Sequence, residues 1–118
     1  MVYDVLRSEA SDRDLDLIFD HLFETYVDFG EAPGEALARA GDRVRAIEDE
    51  MEALGRQPFQ GTLCPNLASG WRRVTKNRVI IYFTVDEQAA TVRILAVFFG
   101  GQDHRRHMLK RLLGSSDP

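Results

Sequence analysis

At 118 residues, with 44% hydrophobic and 29% charged side chains, the chain has the size and composition of one ordinary soluble domain that can bury a core without covalent staples. A lone cysteine, Cys64, excludes an internal disulfide and a cysteine-built zinc cluster, and no apolar run approaches the ~20 residues of a membrane span or forms a signal core, so a reducing cytoplasm is the expected compartment. The net charge of −4 conceals a division: residues 1–70 carry −9 and residues 71–118 carry +5, which reads either as two solvated faces or as a localised anion-binding surface on the C-terminal part.

The opening MVYDVLR alternates apolar and polar positions and predicts a short strand, an edge one. Ser8 or Ser11 can cap the helix that follows, with Asp12 and Asp14 suited to its positive first turn. Leu15, Ile18, Leu22 and Tyr26 recur at helical spacing while Asp16, Asp20, Glu24 and Asp28 take the other side, predicting a helix over 8–28. Gly30 and Pro33 punctuate the chain, and a second helix follows with Leu37, Ala40, Val44, Ile47, Met51 and Leu54 in one seam and Gly55 as its C-terminal cap. Two helices on a short loop make an antiparallel hairpin.

The segment GRQPFQGTLCPNLASG, rich in glycine and proline, reads as loop. WRRVT and RVIIYFTVD read as strands, EQAA as a turn and TVRILAVFFGG as a returning strand. Both faces of the middle strand are apolar, so it is central. QDHRRHMLKRLL reads as a closing basic helix, and residues 114–118 as a frayed tail after a single domain over 1–113. The fold class is α+β, in the order β-α-α-β-β-β-α: an antiparallel sheet with a helix hairpin on one face and a short C-terminal helix.

Taken together and in order, ASDRDLDLIFDHL, AIEDEMEAL, QPFQG, GWRRVTKNRVIIYFTVD and TVRILAVFFGGQDHRRHM resemble the RelE/ParE superfamily of toxin–antitoxin toxins, nearer its ParE-like branch, over residues 2–112. The resemblance implies the toxin of a toxin–antitoxin (plasmid stabilisation) module. Such a toxin is neutralised by a cognate antitoxin encoded beside it and needs neither cofactor nor metal. RelE-like members cut mRNA on the ribosome; ParE-like members inhibit DNA gyrase.

Metal-free RNA cleavage needs a base for the 2′-hydroxyl, cations for the phosphorane and an acid for the leaving oxygen. By resemblance, Arg78 keeps the arginine preceding the central apolar run and Arg72 stands as a cation on the strand before. The second cation falls on Val74, the C-terminal arginine near Gln102 and the tyrosine near Met108, none of which has the required chemistry. A ribonuclease would therefore rely on Arg72, Arg73, Arg78, His104 and His107. The plainer reading makes the histidines, His21 included, exposed polar residues, Trp71 and Tyr82 core or interface residues, and Cys64 an unreactive thiol. No phosphate cradle is present; FFGGQ is a strand-ending turn.

Three functions remain open at this stage: a ParE-like inhibitor of a host protein such as gyrase, a RelE-like ribosome-dependent endoribonuclease, and a non-toxic binding module on the same fold. A chain of negative net charge is a poor general binder of polyanions, which favours the first and makes direct nucleic-acid binding a role for the antitoxin. The resemblance places the antitoxin tail on the sheet face that the helices leave open; Arg72, Arg78 or Arg93 is expected to meet its acidic residues there, with Phe98 or Phe99 either an apolar anchor or part of the core. A turn at Thr75, Lys76 and Asn77 brings Arg72 and Arg78 to one end of the sheet, beside Arg105 and Arg106 of the closing helix. A homodimer is compatible with all three readings. The competing role for the arginines is as internal counter-ions of Asp16, Asp20 or Glu48.

Overall fold

Two polar residues start the first helix. Ser8 sits in extended backbone, accepts a hydrogen bond from the Ser11 amide at 3.1 Å, and hands the chain from strand to helix. In the computed structural model, which describes residues 2–99, the elements are β1 (Asp4–Arg7), α1 (Glu9–Asp28), α2 (Pro33–Ala53), β2 (Thr62–Leu63), β3 (Arg72–Lys76), β4 (Val79–Asp86) and β5 (Thr91–Phe99). The expected closing helix, the frayed tail and the residues His104, Arg105, Arg106 and His107 lie outside the described residues.

The helix hairpin forms as its spacing predicts. α1 buries Leu15, Ile18 and Leu22 and exposes its acidic side, while α2 buries Ala36, Ala40, Ile47 and Met51. Leu37 departs from the expected seam: it is 53% exposed, and Ala36 takes the buried position in the first turn. The seam thus shifts by one residue there, onto Ala36. At its tip the Arg39 guanidinium lies 4.2 Å over the Tyr26 ring and pairs with Glu31 at 2.8 Å, fastening α2 to the end of α1.

The sheet has five strands in the order β1-β5-β4-β3-β2. The strand at its first edge is the expected one, but it runs parallel to β5, so the sheet is mixed rather than wholly antiparallel. The chain runs from β1 through the hairpin and β2–β4 before it returns as β5, a connection long enough to set two neighbours parallel. The loop expected over residues 55–70 also contributes a strand: Thr62 and Leu63 pair with Arg73 and Arg72. Two residues are too few for alternation to be recognised.

β4 is central, and its two faces feed two separate cores. Val79, Ile81 and Phe83 join Val74, Val92, Ile94 and Val97 beneath the helices. Ile80 and Tyr82 join Ala96 and Phe98 on the far side, under a cover that includes Leu67 and Trp71. Between the pairs Tyr82–Ala96 and Phe83–Ile94 the register slips by one residue, a bulge at Leu95. That slip lets even-numbered Val92 and Ile94 and odd-numbered Val97 reach the same core.

Candidate functional site

The β3–β4 turn is built from Asn77 and Arg78, whose φ values of 51° and 67° give the left-handed pair of a two-residue hairpin turn. This corrects the expected turn at Thr75–Asn77; Lys76 pairs with Val79 across it. Asparagine suits the first of these positions, but glycine is the usual second residue. Arg43 of α2 donates to the Asn77 carbonyl, and Asn77 Nδ2 donates to Glu50 Oε1 at 3.4 Å, so the turn is tied down onto α2. Arg78 itself is exposed and has no ion pair or side-chain hydrogen bond among the described residues.

Beside this turn lies an open cleft of ≈ 620 Å³ between the helix hairpin and the end of the sheet. Leu22, Tyr26 and Phe99 give it an apolar floor; Arg39, Arg43 and Arg78 stand around it. Asp42, also on its wall, is taken up by an ion pair with Arg45. Phe99 is half-buried and meets His21 edge-to-face at 6.0 Å.

The other expected site residues are dispersed. Arg72 pairs with Phe83, at the end of the β3–β4 ladder away from the turn. It is four residues from Lys76, roughly 13 Å at ~3.3 Å per residue, so Arg72 and Arg78 do not share one end of the sheet as expected. Arg72 donates to the Phe59 carbonyl at 2.9 Å and lies 5.5 Å from that ring, pinning the loop before β2. Arg73 stands opposite Tyr82 on the face away from the helices, lining a hollow of ≈ 300 Å³ with Cys64 and Leu67. Arg93, opposite Thr84, is exposed.

Phe98 is not a free anchor. It is 7% exposed, Tyr82 beside it is fully buried, and the sheet face expected to lie open as a groove carries the second core instead. Val74, which falls where the ribonuclease pattern needs a cation, is a core residue at 9% exposure. The counter-ion role does not fall to Arg72 or Arg78 either. Glu48 is held by Arg7, whose guanidinium is raised above its ordinary value first by that side-chain hydrogen bond and further by Asp12. The residues that the sequence reading missed are Arg39 and Arg43. Their signal was present: arginines at helical spacing on the side of α2 that turns toward the basic hairpin.

No family model and no curated protein matches the sequence. Solved structures do match its fold. A chain from the structure described as the chromosomal ParDE TA system from P. aeruginosa aligns with a TM-score of 0.63 at 22% identity, over 84% of this chain and 97% of that one. A chain of the toxin–antitoxin complex RelBE2 from Mycobacterium tuberculosis aligns with a TM-score of 0.51 at 18% identity, over 84% and 99%. The α+β RelE/ParE-like architecture expected from the order of helices and strands is thus the fold this chain has.

Proposed function

We propose that this chain is a ParE-like toxin of a toxin–antitoxin pair, held by a cognate antitoxin and acting by occupying a protein surface, with DNA gyrase as the leading target. The fold it shares with components of ParDE and RelBE2 systems supports the pairing with an antitoxin. The dispersal of the cations supports inhibition over RNA cleavage. Arg72 holds a loop carbonyl, Val74 is core, Arg73 is on the opposite face, and Arg78 is at the far tip. A phosphorane needs such groups within hydrogen-bond reach of one point, and losing a single positioned donor costs on the order of 10²-fold in rate.

Three results are expected. Co-expression with the product of the adjoining gene yields a complex with a nanomolar Kd, measured by calorimetry; a Kd weaker than micromolar overturns the antitoxin reading. Induction without that partner stops DNA synthesis before RNA or protein synthesis, and purified chain inhibits supercoiling by gyrase. Primer extension on translated transcripts is expected to show no codon-specific cuts; cuts that vanish in Arg78→Ala protein would reinstate the ribonuclease.

A further inference from the structure

We infer that the cleft between the helix hairpin and the β3–β4 turn is the docking site for an acidic segment of a partner protein, one that carries an apolar side chain for the floor formed by Leu22, Tyr26 and Phe99. The inference rests on the antitoxin reading for the partner's identity, but its chemistry is set by the cleft. Among the described residues three guanidinium groups surround it, and the one carboxylate that lines it, Asp42, is engaged by Arg45. Arg39 and Arg43 are already oriented, by Tyr26 and Glu31 and by the Asn77 carbonyl. Pre-oriented guanidinium groups take carboxylates at little further entropic cost. Arg78 adds a charge without a described partner, from a backbone position that favours glycine. The turn thus carries a side chain that its own geometry does not ask for.

Charge decides among the occupants. Residues 100–118 follow Phe99 in the sequence and hold four Lys or Arg against two Asp, the same sign as the cleft and so unsuited to filling it. A nucleic-acid backbone has the right sign, but the acidic side of α1, with Asp16, Asp20, Glu24 and Asp28 exposed, belongs to the same hairpin and opposes a long polyanion. A short acidic stretch with apolar anchors satisfies both the arginines and the floor. The site is also distinct from the sheet face away from the helices, which is occupied by the second core.

The test uses the full chain and two probes: the adjoining gene's purified product, and a 20-residue peptide of Glu and Leu at helical spacing. Arg39→Glu with Arg78→Glu is expected to raise Kd at least ~30-fold at low salt, and less at high salt. Arg73→Glu with Arg93→Glu on the other sheet face is expected to change it less than ~3-fold. Arg78→Gly separates binding from folding: its melting temperature is expected to rise while its Kd weakens. A photo-crosslinker at Ala46, on the cleft wall, is expected to label the partner's acidic stretch. Unchanged affinity in both Arg39→Glu/Arg78→Glu and Arg78→Gly, or crosslinks only to residues 100–118 or to a second copy, overturns the cleft while leaving the antitoxin reading intact. Binding of the peptide but not of the adjoining product overturns the antitoxin reading and leaves the cleft.

Discussion

Asp14→Ala is expected to cost about 3 kcal/mol of folding stability, the loss that accompanies removal of a charged acceptor from a buried donor. Asp14 is 3% exposed, and its carboxylate accepts the Val97 amide at 2.9 Å. The need for it follows from the sheet. β1 pairs with β5 only from Thr91 to Ile94, so β5 continues past its neighbour with backbone groups facing no strand. α1 supplies the substitutes. The Ser8 amide donates to the Ile94 carbonyl at 3.2 Å, the Ser8 hydroxyl to the Leu95 carbonyl at 3.3 Å, and Asp14 takes the next amide along. With alanine there, the Val97 amide is buried without that carboxylate. Asp14→Asn keeps a carbonyl in reach and is expected to retain about half of the lost stability. Urea unfolding gives the energies, and exchange of the Val97 amide hydrogen locates them. A loss below about 1 kcal/mol for the alanine variant would mean that water reaches this edge and the helix does not seal it.

Asp14 also shows what could be read from the sequence and what could not. Beside Asp12 its position in the first turn suits the helix dipole, a surface role. Yet Ser11, Asp14, Leu15, Ile18 and Leu22 are all buried, and their spacing is that of a single stripe. A polar residue on an apolar stripe signals a buried hydrogen bond, although the partner is in sequence 83 positions away and beyond any local pattern. The helices themselves and the central strand were legible because their periodicity runs for many residues. β2 was not, because two residues carry no period. Nor was the parity change in β5, since a bulge is a fact about pairing between strands.

The basic turn was legible as a cluster but not as a geometry. Arg72 and Arg78 are close in sequence, and a two-residue turn separates them as far as the hairpin allows. Once Arg72 is spent on Phe59, the cationic surface has to be assembled from Arg78 and the two arginines of α2. Those α2 residues belong to the acidic half of the sequence, so dividing the chain at residue 70 hid them. The charge asymmetry therefore pointed to a basic surface on residues 71–118, whereas two of the three arginines lining the cleft belong to residues 1–70.

The second large effect is expected at Gly55, where alanine should cost about 3 kcal/mol, in the upper range for overpacking against a fixed neighbour. Glycine after a helix is usually read as a cap with left-handed backbone, and the sequence invites that reading here. Among the described residues the positive-φ glycines are Gly30, Gly61 and Gly70, and Gly55 is not one of them. What Gly55 provides is room. A Cβ there would lie 2.4 Å from the Tyr3 carbonyl oxygen and 3.2 Å from Val5 Cγ2. The Tyr3 amide in turn donates to the Gly55 carbonyl at 2.7 Å, so the end of α2 is fastened to the start of β1 by main chain on both sides. Neither partner can yield without breaking that bond or pulling β1 off β5. Gly30 provides the contrasting case. Its φ is +98°, but nothing lies within 4 Å of its would-be Cβ, so Gly30→Ala pays only the backbone strain, about 1 kcal/mol. Thermal melts of the two variants should fall in that order, with Gly55→Ala several times further from the parent than Gly30→Ala. The reverse order would mean that β1 moves away from α2 and relieves the close approach at Gly55. A β1 that moved would also release Arg7 from Glu48. Gly55→Ala should therefore loosen the ion pair at the other end of the strand, read as a smaller effect of Glu48→Gln in that background than in the parent.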